Sequence, residues 1–140
     1  MSKLAKHYIV TSKALANLQR ALETNAAVQE LDDKKFVLAA RDSTVLCFRL
    51  CVEQVFRYLS QLLKDLPAWD RQGPERIIQS CATMRLFTKS DTLAAYREVE
   101  CHDMVSLGYK NEIAAQIVSA APAHYRFLSH ILKKAKPEKL

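Results

Sequence analysis

The sequence predicts an all-α protein, an antiparallel bundle of four to six helices forming one domain over residues 1–140. Two glycines and four prolines in 140 residues leave little material for β-turns. Apolar residues recur at helical spacing over long stretches, and no stretch alternates with the period of a strand. Hydrophobic residues make up 49% and charged residues 26%, the balance of a water-exposed globule with a single core.

The first helix is predicted over residues 3 to 29. Leu15, Leu18 and Leu22 repeat at helical spacing, with Ala14 and Ala21 beside them. Either Ser2 or Ser12 suits an N-cap, which leaves open a break near Thr11. Asp32 and Asp33 then put negative charge where a second helix would start. That helix is predicted to be long, from Asp33 to Leu66. Phe36, Ala40, Thr44, Phe48, Cys51, Val52, Val55, Phe56, Leu59, Leu62 and Leu63 make a stripe wide enough for burial on more than one side. Glu53 and Arg57 stand four apart on its polar side, in the favourable order for a helical ion pair.

Pro67 stops the second helix, and a loop over 67–73 carries Trp69, the sole tryptophan. Pro74 suits the first position of a third helix, with Ile77, Ile78, Cys81, Met84 and Leu86 facing inward. Ser90-Asp91 caps a fourth helix running toward Met104, and Gly108 falls in the turn after it. The last helix runs from Asn111 to about Lys134. Pro122 either kinks it or splits it in two. Its apolar face is Ile113, Ile117, Tyr125, Leu128, Ile131 and Leu132.

The formal charge is +6, and Lys133, Lys134, Lys136 and Lys139 form a basic C-terminal tail from about residue 133. Such a balance attracts RNA or an acidic partner. No aromatic residue interleaves with those lysines, so no base-stacking platform is indicated and a solvated tail is the plainer reading. Cys47, Cys51, Cys81 and Cys101 contain no C-x-x-C pair and read as reduced core thiols. No metal site or cofactor is indicated. His7, His124 and His130 have no carboxylate or cysteine companions at ligand spacing and read as surface or core histidines. No apolar run reaches the ~20 residues that span a bilayer, and the N-terminus lacks the pattern of a signal peptide. The expected location is the cytoplasm, with no membrane partner.

The segment His102-Asp103-Met104-Val105-Ser106-Leu107-Gly108-Tyr109 carries the strongest functional signal. It resembles the Arg-Asn-x-x-Ser-His-x-Tyr signature of HEPN-domain proteins, in particular the nucleotidyltransferase substrate-binding proteins. Ser106 and Tyr109 fit, and Asp103 is close. His102 replaces the arginine and Leu107 the histidine. Arg41-Asp42-Ser43, Phe48, Glu53, Phe56, Arg57 and Leu59 resemble the same family's Arg-Asp-Gly … Phe … Glu-x-x-Trp-Lys-x-Leu pattern. Gly73-Pro74-Glu75-Arg76-Ile77-Ile78 resembles its Ser-Pro-Arg-Glu-Val-Ile. The resemblance runs over roughly residues 10 to 133 and rests on the order and spacing of several loose motifs.

The resemblance implies a helical bundle that forms a homodimer and a partner, a minimal nucleotidyltransferase encoded as a separate chain. Some such pairs are toxin–antitoxin systems. In these a metal-independent ribonuclease is silenced by AMP added to the motif tyrosine, which by position is Tyr109. Arg41, Asp42, Glu53 and Arg57 become groove candidates, with a nucleotide or RNA as ligand.

Metal-free RNA cleavage needs a proton carrier near neutral pKa and a cation beside the phosphate. Leucine at 107 supplies neither, so efficient cleavage is not expected, although His102 keeps one titratable group. The alternative is an active ribonuclease using His102 with Arg97 or Arg41. The run Arg97-Glu98-Val99-Glu100-Cys101-His102 satisfies Arg-x4-His, but it lacks the flanking residues and lies inside the fourth helix. Two duller readings also stand. His102 complements a helix dipole, and Glu53–Arg57 is a structural ion pair.

Overall fold

Ser2 starts the bundle. Its backbone is extended and its hydroxyl accepts the Ala5 N–H at 3.0 Å, which caps α1, Lys3–Val28. The computed structural model describes residues 1–63, 73–107 and 110–138. α1 does not break near Thr11. The Thr11 and Ser12 hydroxyls donate to the carbonyls of His7 and Tyr8 one turn back, so both residues sit inside a continuous helix.

Asp33 caps α2, Lys34–Leu62, by accepting the Lys35 N–H at 2.9 Å. α2 ends at Leu62 with Leu63 as its C-cap, short of the end predicted at Leu66, while Pro67 and Trp69 lie outside the described residues. The wide stripe is buried as expected, with Phe48, Cys51, Val55 and Leu59 fully enclosed. Phe36 departs from it. One turn into the helix it is 59% exposed, because α1 has ended and no other element covers it.

α3, Pro74–Thr83, starts at Pro74 as expected and buries Ile77, Ile78 and Cys81. It ends before Met84, and Arg85 takes a positive φ of 61°. That sharp turn throws Met84 outward, so it is exposed, while Leu86 is half-buried. α4, Lys89–Leu107, is capped by Thr88 rather than Ser90. The Thr88 hydroxyl accepts the Asp91 N–H at 3.1 Å, and the Asp91 carboxylate accepts the Thr88 N–H at 3.0 Å. This is a capping box with aspartate in the third position. α4 runs to Leu107, three residues past the expected end.

α5, Asn111–Lys134, passes through Pro122 without splitting. Pro122 is exposed, so its ring lies toward water rather than in the core. The basic tail is not free from residue 133. Lys134 ends α5 with its ammonium 2.6 Å from the buried Asp91, and Tyr58 donates to the buried Ala135 carbonyl at 2.5 Å. Burial raises the Asp91 carboxyl, but hydrogen bonds from Lys134 and from Thr88 outweigh it and hold the group at about 2.

Four of the helices run along one another, and no strand occurs among the described residues. Thr11 reaches the Gln54 carbonyl and Thr44 the Ala21 carbonyl, so α1 and α2 are antiparallel. α4 is antiparallel to both α2 and α5, through His102–Glu53 and Asp91–His130. α2 and α5 are consequently parallel neighbours, joined at Arg41–Asn111 and Tyr58–Ala135. α3 packs across α4 and α2. Phe48 lies at the centre and is fully enclosed. Phe48→Ala should cost about 3–5 kcal/mol in urea unfolding. A loss below about 1 kcal/mol would show that the core is not centred there.

Candidate functional site

α2 carries a polar edge beside its buried stripe. Arg41, Arg49 and Glu53 recur at multiples of four, so they climb one side of the helix. α4 lies along that side with His102 facing inward. His102 Nε2 is 2.9 Å from Glu53 Oε1, and Arg49 Nε approaches the same oxygen at 3.5 Å. On the other ring nitrogen, Asp103 lies 3.5 Å away. The imidazole is thus held between two carboxylates, with its side chain 19% exposed.

Arg41 occupies the far end of this edge. It donates to Asp42 at 3.3 Å and to the Asn111 amide oxygen at 3.2 Å, where α5 begins. The edge therefore draws on α2, α4 and α5. It unites Arg41, Asp42, Glu53, His102 and Asp103, which sequence reading had singled out from segments about fifty residues apart. Chemically it offers one titratable ring, two carboxylates in contact with it, and two guanidiniums for anionic groups.

Other expected residues fall elsewhere. Arg57 is exposed and does not pair with Glu53, whose carboxylate turns to Arg49 and His102 because α4 packs on that side. The Ser106 hydroxyl donates to the His102 carbonyl at 3.0 Å and is used within α4. Leu107 is 89% exposed. Tyr109 and Gly108 lie outside the described residues. Arg97 is exposed on α4, and a five-residue step turns it about 140° from His102, so the Arg97–His102 pairing does not form one face. His102 sits five residues before the end of α4, too far in for a simple dipole role.

Sequence reading missed Arg49. Its spacing from Glu53 was visible, but so was that of Arg57, and only the position of α4 decides between them. It also missed the companions of two histidines. His130 Nε2 lies 3.1 Å from Asp91. His124 Nδ1 lies 2.5 Å from Glu98, which is almost fully buried, and the His124 ring packs on Phe48 at 4.7 Å. These partners are distant in sequence, so spacing rules could not find them.

Burial pushes the Glu98 carboxyl up, and the His124 imidazolium pulls it back. For His124, burial works against the charged ring. Hydrogen bonds that the ring donates to Cys101 and Glu98, with the Glu98 charge, overcome it and raise the ring to about 9. Cys51 and Cys81 are pushed up to about 12 mainly by burial, which suits core thiols. All four cysteines are free. No metal-binding group of His, Cys, Asp and Glu occurs among the described residues, and no helix there is long and apolar enough to cross a membrane.

No protein-family model and no curated protein matches this chain. Among solved structures, a crystal structure of a protein from Thermus thermophilus shares the fold, with a TM-score of 0.65. The alignment covers 86% of this chain and 99% of that one, at 19% identity. A likeness at that identity speaks for the helical bundle alone.

The His124 ring gives a pH prediction. A histidine raised in the folded state contributes stability below its unfolded value near 6.5 and loses it as pH rises through about 9. Thermal stability should therefore fall between about pH 6.5 and 9, and Glu98→Gln should flatten that fall. Melting profiles of the two proteins with the same slope over this range would contradict the assignment.

Proposed function

We propose that this chain is a HEPN-type nucleotidyltransferase substrate-binding protein. It works in the cytoplasm as a regulatory subunit beside a separate minimal nucleotidyltransferase, as one half of a toxin–antitoxin-like pair. The reading is supported above all by the Glu53–His102 contact. Two motif segments that resemble the family, one on α2 and one on α4, meet at 2.9 Å.

The chemistry favours binding over cleavage. His102 can carry a proton, but the family's second group is replaced by a fully apolar, outward-facing Leu107. The alternative of an active ribonuclease using Arg97 loses its cation to another side of α4, and Arg41 is already engaged with Asp42 and Asn111. Arg49, whose side chain is 42% exposed and makes one 3.5 Å contact with Glu53, instead suits a nucleotide or RNA phosphate held at the partner contact.

Homodimerisation belongs to the same proposal. Leu46 and Leu50 are exposed one turn apart on the outer face of α2, beside Arg49 and Glu53. A second copy covering them would bring two such polar edges together.

A tagged pull-down from the native host, with mass spectrometry of co-eluting chains and of the Tyr109 peptide, tests the reading. The expected result is a small nucleotidyltransferase, with AMP transferred from ATP to the Tyr109 hydroxyl and pyrophosphate released. Tyr109→Phe should abolish the label while the partner still co-elutes. Equal labelling of Tyr109→Phe would refute the tyrosine assignment, and no nucleotidyltransferase in any eluate would refute the pairing.

A further inference from the structure

α1 and α2 cross with small residues at their contact. Ala14, Asn17 and Ala21 face Ala40, Ser43 and Cys47, and two adjoining cavities of about 300 Å³ each open along the seam. Both cavities share Asn17 and Cys47, so they form one continuous groove. On α1 it reaches from Val10 to Thr24, about 21 Å of helix axis. That length matches four turns of a docked helix.

The groove is sided. Its α1 rim carries Lys13 and Arg20, both exposed and seven residues apart, two turns along the same edge. Arg20 donates to the Asn17 side chain, which holds its guanidinium at the rim. The α2 rim offers the neutral Ser43, Leu50 and Gln54, and no acidic residue among the described ones lines either cavity. Val10 and Leu50 are exposed apolar side chains flanking the mouth.

We propose that this groove docks an acidic amphipathic helix of a partner protein, its apolar stripe on the small-residue floor and two carboxylates, seven residues apart, on Lys13 and Arg20. Helix-in-groove docking uses an apolar stripe for contact and flanking charges for orientation. The rim charges favour this occupant over a second copy docked groove to groove, which would set Lys13 and Arg20 against the same two cations. They also favour it over nucleic acid, since two cations and no aromatic residue make a poor track for a phosphate backbone. The chain's overall charge of +6 steers an acidic partner toward it. None of its lining residues belongs to the His102 site, and Leu50 alone also lies on the face proposed for a second copy, so failure of either proposal does not decide the other.

A displayed library of amphipathic helical peptides about 18 residues long, selected against the intact chain, tests this. Enriched peptides should carry Asp or Glu seven residues apart beside an apolar stripe. The Lys13→Glu/Arg20→Glu chain, checked for unchanged helicity by circular dichroism, should bind them about tenfold or more weakly. Exchanging the peptide's acids for lysine should restore binding to that variant. Enrichment without paired acids, equal binding to the variant, or no enrichment at all would overturn the proposal. So would a single-stranded RNA probe, or a change in oligomeric state, that responds to the two substitutions instead.

Discussion

Everything in this fold depends on the burial of α2. One 29-residue helix packs against α1, α5, α4 and α3, and its side chains at Phe48, Val55, Tyr58 and Leu59 are wholly enclosed. A helix apolar over so wide an arc cannot rest on one neighbour, so the other helices must surround it. Its narrow remainder is forced outward. That remainder holds the exposed Leu46 and Leu50, with the polar edge on one flank and the α1 groove on the other. Both proposed binding surfaces are therefore consequences of how α2 is covered.

α4 buries Ala95 and Val105 in the core and packs Tyr96, Val99 and Cys101 against it, but this apolar face is uneven and polar contacts set its register. Its apolar residues are scattered, with Leu93, Met104 and Leu107 exposed while Glu98 and Asp91 are buried. Four polar contacts orient it: Asp91 with Lys134 and with His130, Glu98 with His124, and Glu53 with His102. A buried pair such as Glu98–His124 gains little net stability against its isostere, yet losing one partner strands a charge in the core. These contacts fix how α4 slides along α5 and α2. That position sets His102 against Glu53.

The helices were legible in the sequence because periodicity reports burial directly, and the capping residues Asp33 and Pro74 mark their starts. The errors have local causes. Phe36 fits the stripe's period yet lies outside the core, because periodicity does not say where a neighbouring helix ends. Met84 was assigned inward because the positive φ of Arg85 has no sequence signal in a non-glycine residue. Pro122 left a choice between a kink and a break, and its exposure decided for a continuous helix. At the site, the motif residues His102, Asp103, Arg41 and Glu53 could be named from pattern, but not their contacts. Arg49 and the His124–Glu98 pair depend on the rotation of α4 about its axis, and its weakly amphipathic sequence does not encode that rotation strongly.

The most direct test of the central claim, that the α2 and α4 segments form one partner-binding site, is a double-mutant cycle read by calorimetry. The nucleotidyltransferase proposed as partner would be titrated onto the wild type, Glu53→Gln, His102→Ala and the double variant. A single site predicts that each substitution weakens binding and that the double variant is little worse than either alone. Strictly additive losses, or affinities unchanged by all three, would contradict it.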